Sequence, residues 1–345
     1  MINSAARFTK EGAGGIVHCS LCPRFCAIPS GSFGSCGVRG NKNGKAIIPF
    51  SGNLTALAVD PIEKKPLYHF RPGSVILSAG FAGCNLHCPF CQNWSISQSA
   101  GSGRGYTPEA AQPGDIVSAA LRENSGAIAY TYSEPLVHIE FLLECMALAY
   151  RHGIANVLVT NGCINAEAAR EILALTDAAN IDLKCFSHDS YAKILGGGPS
   201  AVNFLDTVLD FIKLAHAQNV HIEVTTLIIP GFNDSIEELD KCIKFIEPLK
   251  IPWHLSAYHP DYRWNAPPTD PDFLLRIKER ANKKLHYVYA GNIPGEGNNT
   301  LCPHCNAVLV RRRGYRTDTP ALAPPGEGEN HYRCGQCGGK TPILA

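Results

Sequence analysis

The stretch FAGCNLHCPFCQNW (Phe81–Trp94) sets Cys84, Cys88 and Cys91 in a C-x3-C-x2-C spacing, with no fourth cysteine close behind. A structural zinc site takes four ligands, usually from C-x2-C pairs. A 4Fe–4S cubane assigns one iron to each thiolate, so three cysteines leave a fourth iron open to an outside ligand. The triplet therefore favours a cluster with a vacant corner over a plain metal knuckle. It also follows directly on the apolar run SVILSAG (Ser74–Gly80), and that position starts the reading of the fold.

Downstream, short β-rich runs alternate with helical patterns: AIAYT (Ala127–Thr131), ANVLVT (Ala155–Thr160), NIDLK (Asn180–Lys184), HIEVTTLII (His221–Ile229) and WHLSAY (Trp253–Tyr258). Helix-like segments lie between them at Glu134–His152, Asn165–Thr176, Val202–Asn219, Ser235–Leu249 and Pro271–Lys284. Apolar strands alternating with helices predict parallel β/α units with a sheet buried on both faces. Six units suit a partial (β/α)6 barrel, with a doubly wound sheet as the rival. Each strand is followed by polar or thiol residues: the triplet, TYSEP, TNGC, DLKC, PGFND and YHPDY. Sites in parallel β/α folds gather at the carboxyl ends of strands, so these loops are expected to meet at one mouth. GSGRG (Gly101–Gly105) and GGGP (Gly196–Pro199) complete no phosphate-loop motif and read as loops.

The 345 residues, 45% hydrophobic and 18% charged, describe a globular chain with a full core. A net charge of +1 supplies no global field toward nucleic acid. No apolar run reaches membrane-spanning length and the first fifteen residues lack a secretory core, so a cytoplasmic protein without a membrane partner is expected. Fifteen cysteines in such a chain point to metal or catalytic roles rather than disulfides.

Two further cysteine sets flank the β/α region. Cys19, Cys22, Cys26 and Cys36 follow C-x2-C-x3-C-x9-C and could close around zinc or hold an auxiliary iron–sulfur cluster. The lack of a ferredoxin-type C-x2-C-x2-C run favours zinc. Cys302–Cys305 and Cys334–Cys337 are two C-x2-C knuckles around the β-rich AVLVRRRGYR (Ala307–Arg316), as in a zinc ribbon or rubredoxin-like site, with zinc favoured over iron. Arg311, Arg312 and Arg313 offer cations to an anionic partner or form a solvated ribbon strand. PALAPPGEGEN (Pro320–Asn330) reads as a linker. The expected organisation is a four-cysteine module over 1–50, a catalytic core over 51–290 and a ribbon-like module over 291–345.

The C-x3-C-x-Phe90-C pattern resembles the radical S-adenosylmethionine (SAM) superfamily. The resemblance implies a partial TIM-like barrel of the radical SAM type. It also implies a [4Fe-4S] cluster on Cys84, Cys88 and Cys91 whose open iron chelates SAM. Reductive cleavage then yields methionine and a 5′-deoxyadenosyl radical that abstracts hydrogen from a substrate. It further implies that Ser133 and Glu134 in TYSEP stand where relatives carry a glycine-rich element for the methionine amino group, here without a glycine pair. Asp182 would face the ribose hydroxyls and Lys184 the methionine carboxylate, unless the two pair with each other. Asn161 and His259 take mouth positions, and the backbone at Phe90 would meet adenine.

Taken with CSLCPRFC, PWHLSAYHPDY, AGNIPG and RRRGY, the chain resembles the AmmeMemoRadiSam-system radical enzymes, relatives of pyruvate formate-lyase activating enzymes. That resemblance implies Memo-like and AMMECR-like partners, a flavodoxin or ferredoxin reductant, and a protein substrate of the glycyl-radical type. Two other readings stay open: an iron–sulfur or zinc scaffold or electron carrier that does not cleave SAM, and a nucleic-acid-modifying radical enzyme. Cys163 and Cys185 fall at strand ends, where a free cysteine usually packs as a small buried hydrophobe and where either could instead face a substrate; Cys145 and Cys242 fall on helical patterns and read as core.

Overall fold

A computed structural model describes residues 6–98, 109–196, 203–293 and 298–345. GSGRG and most of GGGP lie outside the described residues. The centre is a nine-stranded sheet of β1 (Asn53–Pro61), β2 (Val75–Phe81), β3 (Glu109–Ala110), β4 (Ala127–Thr131), β5 (Ala155–Thr160), β6 (Ala178–Asp182), β7 (His221–Ile228), β8 (Trp253–Ala257) and β9 (Val288–Gly291). Its order is β9-β8-β7-β6-β5-β4-β2-β1-β3. From β2 to β9 every neighbouring pair is parallel and follows chain order. A doubly wound sheet reverses its order at a switch point; this one does not. The progression is that of a barrel wall, flanked by antiparallel β1 on the β2 side.

Six parallel strands are expected, and seven are present among the described residues. The seventh, VYAG at β9, is four residues long and lies beyond the last helix-like segment, in a stretch whose pattern marks no strand. The expected helices occupy Ile139–Arg151, Ala166–Leu173, Phe204–Ala217, Ile236–Ile246 and Pro271–Asn282, with one more at Pro113–Arg122. Pro113 and Pro271 open their helices at the position where a missing N–H costs nothing, behind the capping residues Gln112 and Asp270. Right-handed crossovers place such helices on one side of the sheet. Their apolar faces and the strands form one core that includes Tyr130, Phe141, Phe211, Trp253 and Leu255. No helix among the described residues is long and apolar enough to cross a membrane.

Of the N-terminal cysteines, Cys19 ends a strand of a small antiparallel sheet of Thr9–Glu11, Val17–Cys19 and Ala27–Ile28, Cys22 and Cys26 lie between its last two strands, and Cys36 lies in a later turn. The C-terminal segment forms two three-stranded sheets with its own small core around Leu309, Val310 and Ile343. The PALAPPGEGEN segment differs from the linker expected for it. Leu322–Ala323 pairs with the Cys334 strand, Gly335 N donates to Ala321 O at 2.9 Å, and Glu329 pairs with Arg333 at 2.6 Å. Closing the second cysteine knuckle brings that strand alongside, which gives the proline-rich backbone partners that its composition does not reveal.

Candidate functional site

The loops after β2, β4, β5 and β6 surround a cavity of about 240 Å3. Cys84, Cys88 and Cys91 form one wall; Ser133, Glu134, Asn161, Asp182 and Lys184 continue it. The carboxyl ends of consecutive parallel strands therefore meet around the thiols. Phe90 lies in the same wall, packed against Phe232 with ring centres 5.3 Å apart.

The thiols receive hydrogen bonds. Leu86 N donates to Cys84 Sγ at 3.3 Å, Asn161 Nδ2 approaches it at 3.6 Å, and Ser97 Oγ lies 3.3 Å from Cys91 Sγ. Burial pushes the Cys84 thiol well above its ordinary range, and Glu134 adds to the shift. Burial likewise pushes Cys88 up to about 12, against the pull of Lys184. In so dry a setting these groups stay neutral thiols unless a bound cation draws off their protons. Three soft ligands with amide and hydroxyl donors around an open cavity fit an iron–sulfur cluster with one free corner.

Glu134 is fully inside. Its carboxylate accepts from Thr160 Oγ1 at 2.6 Å, Asn161 N at 2.8 Å and Leu136 N at 3.0 Å. Burial raises it to about 7, against these donors. The backbone before it takes an unusual turn. Tyr132 itself adopts a left-handed conformation, φ 72°, and its carbonyl accepts from Asn93 Nδ2 at 2.6 Å. A tyrosine at positive φ is costly and persists only where surrounding contacts hold it. Here its hydroxyl donates to Asp60 Oδ2 at 2.8 Å and the Lys65 ammonium lies over its ring at 4.5 Å.

Asp182 and Lys184 pair directly, Nζ to Oδ2, at 2.9 Å, and both face the cavity. Burial lowers the Lys184 ammonium, but Asp182 and Cys88 outweigh it and leave it raised. Asn233 from PGFND fixes the loop, donating to Lys184 O at 2.6 Å and Leu227 O at 2.8 Å. The TNG turn needs its glycine: Gly162 has φ 64°, and a Cβ there would meet Phe211 Cδ1 at 2.9 Å.

His259 stands apart from this group. It is exposed at the rim, its Nε2 3.3 Å from Asn292 O, and does not line the cavity. Cys163 and Cys185 are buried in the core behind the wall, so neither faces the cavity as a strand-end position suggested. Cys145 and Cys242 are buried on their helices as expected. Wall residues that escaped the sequence reading include Ser97, Gln98, Tyr132, Thr225, Ser256 and Asn292. Thr225 and Ser256 were legible as polar positions late in strands; Asn292 was hidden with the unrecognised β9.

A second cavity of about 670 Å3 shares Gln92, Thr225, Ser256 and Asn292 with the first and extends to Tyr68, Arg312 and Tyr315. At the C-terminus, Cys302, Cys305, Cys334 and Cys337 bring their sulfurs within 4.8 Å of one another, an arrangement that could hold a metal ion.

Residues 80–246 match the family model described as the Radical SAM superfamily. The chain is 39% identical over 337 residues to the uncharacterized protein MJ0808 of Methanocaldococcus jannaschii, covering 95% of this chain and 96% of that one. It is 25% identical over 221 residues to the pyruvate formate-lyase-activating enzyme of Clostridium pasteurianum, covering 60% and 87%. Among solved structures, Streptococcus suis SuiB bound to S-adenosylmethionine aligns with TM-score 0.48 and 17% identity, covering 67% of this chain and 53% of that one.

Proposed function

Because the chain belongs to the radical SAM superfamily and is an enzyme of that kind, we propose that Cys84, Cys88 and Cys91 hold its [4Fe-4S] cluster and that the adjoining cavity takes SAM. The observation that carries this is the meeting of the three thiols with Ser133, Glu134, Asn161, Asp182 and Lys184 around one space. When bound, the reduced cluster and SAM supply a 5′-deoxyadenosyl radical for hydrogen abstraction.

The chain's own residues then divide the work. Lys184 presents an ammonium for the methionine carboxylate, and Asp182 accepts from ribose hydroxyls. Glu134 positions the β4 loop and the Asn161 amide, and offers an acceptor for the methionine amino group. The Phe90 backbone borders the adenine, with Asn161 beside Cys84; His259 serves the rim. The buried wall excludes water from a reactive species.

We place the substrate in the larger adjoining cavity, whose size suits a polypeptide segment better than the first. The likeness to activating enzymes supports a protein target and a one-electron donor of the flavodoxin or ferredoxin class; we assign the chain to the AmmeMemoRadiSam system, with Memo-like and AMMECR-like partners, on its sequence motifs alone. Zinc is assigned to the C-terminal cysteines, and the chain divides near residues 50 and 290. We place it in the cytoplasm. The test is anaerobic turnover with candidate proteins labelled with deuterium. Label in 5′-deoxyadenosine supports the reading; protein with a reduced cluster that neither binds nor cleaves SAM overturns it.

A further inference from the structure

The two four-cysteine sets differ in how their sulfurs stand. In the C-terminal set, Cys302 and Cys337 are 3.7 Å apart and Cys305 and Cys334 are 3.6 Å apart. This spacing suits one tetrahedral ion, since ligands 2.3 Å from zinc lie about 3.8 Å from one another. Among the described residues, no other three or more cysteine, histidine or carboxylate ligand atoms are drawn within 4.8 Å. Cys19, Cys22, Cys26 and Cys36 nevertheless face one another, because all four line a common cavity. No three of their sulfurs lie within 4.8 Å of one another, whereas the ligands of one tetrahedral ion do.

Cys84, Cys88 and Cys91 show the same combination of shared cavity and wide separation. In a cubane each thiolate binds a different iron, so the sulfurs stand farther apart than ligands of one ion. We propose that Cys19, Cys22, Cys26 and Cys36 hold an iron–sulfur cluster, the alternative to the zinc that spacing alone favours. The comparison rests on the reading of Cys84, Cys88 and Cys91 given above.

The surroundings suit such a group. Backbone N–H groups of Arg24, and of Val38 and Arg39, point at the sulfurs of Cys22 and Cys36. Hydrogen bonds of this kind set the potential of a cluster. Arg39, buried and bound to Glu140 at 3.0 Å, places a cation beside Cys19 and Cys36. Four thiolates leave no open iron, so this site would not bind SAM.

The site is also wired to the first one. Arg24, two residues after Cys22, donates Nε to Asn85 O at 2.7 Å, and Asn85 follows Cys84. Asn165 N donates to Leu21 O at 2.9 Å and its Nδ2 to Ser20 O at 2.8 Å, docking the Cys19–Cys22 loop behind the TNG turn.

The test uses the full chain with Cys84, Cys88 and Cys91 changed to alanine, reconstituted anaerobically with iron and sulfide. The variant should retain about four irons and about four acid-labile sulfides per chain, with an electron paramagnetic resonance signal on reduction. Adding Cys36→Ala should remove them. The unaltered chain should hold about eight irons, a count that does not depend on the variant's folding. About four irons in the unaltered chain, with zinc and no sulfide left in the variant, overturns the proposal and leaves the SAM reading intact. Iron and sulfide in the variant, together with no SAM cleavage by the unaltered chain, has the opposite meaning.

Discussion

The guanidinium of Arg312 lies 4.2 Å over the ring of Tyr68, and its Nη2 donates to Tyr68 O at 2.6 Å. Nη1 reaches Asn298 O at 3.0 Å and Thr300 Oγ1 at 2.8 Å, with the buried carboxylate of Glu63 3.9 Å from Nε. The middle arginine of RRR is thus a buried bolt between the C-terminal sheets and the barrel. Strand alternation turns Arg311 and Arg313 to the other face, where Arg311 pairs with Asp318 at 3.1 Å.

Arg312→Ala should cost about 3 kcal/mol, because it strands the Glu63 carboxylate and removes a stacked cation. Arg311→Ala should cost about 0.5 kcal/mol or less, being an exposed pair. Denaturant unfolding of the two variants checks this; equal effects would contradict the buried role.

Glu134→Gln replaces an acceptor of three hydrogen bonds with a group that turns a donor toward one of them. The loss is on the order of 2 kcal/mol in positioning, so SAM affinity should fall at least about tenfold. Calorimetric titration of SAM into the anaerobic protein measures it, and unchanged affinity would remove Glu134 from the site.

His138 is buried, and its Nε2 must donate to Ala82 O at 2.7 Å because a carbonyl only accepts. Burial lowers its pKa from 6.5 to about 4, so below pH 6.5 the unfolded chain takes a proton that the folded chain refuses. Stability is whole above pH 6.5 and drains as pH falls toward 4, by on the order of 3 kcal/mol. His69, lowered to about 3 by burial, acts in the same direction. His138→Gln keeps a donor without the titration, so its melting temperature should vary less over this window.

Replacing Cys84, Cys88 and Cys91 with alanine should abolish 5′-deoxyadenosine formation with the fold intact by circular dichroism. Replacing Cys302, Cys305, Cys334 and Cys337 should mainly lower the melting temperature and leave SAM cleavage measurable below it, since these cysteines close a separate small core. Loss of cleavage at a temperature where the protein remains folded would give the C-terminal set a direct part in the reaction.

Sequence alone determined the cysteine sets, the alternation of strand and helix, and the polar residues at strand ends, because spacing and periodicity are local properties of a chain. The short β9 escaped for the same reason: four apolar residues show no period until neighbouring strands flank them. Only the tertiary structure decided which strand ends share a cavity, and with it the exclusion of His259, Cys163 and Cys185 from the wall. The burial of Arg312 between its exposed neighbours was decided there too, as was the left-handed conformation of Tyr132. Sulfur separations belong to the same class, since they depend on how distant turns pack and no spacing along a chain encodes them.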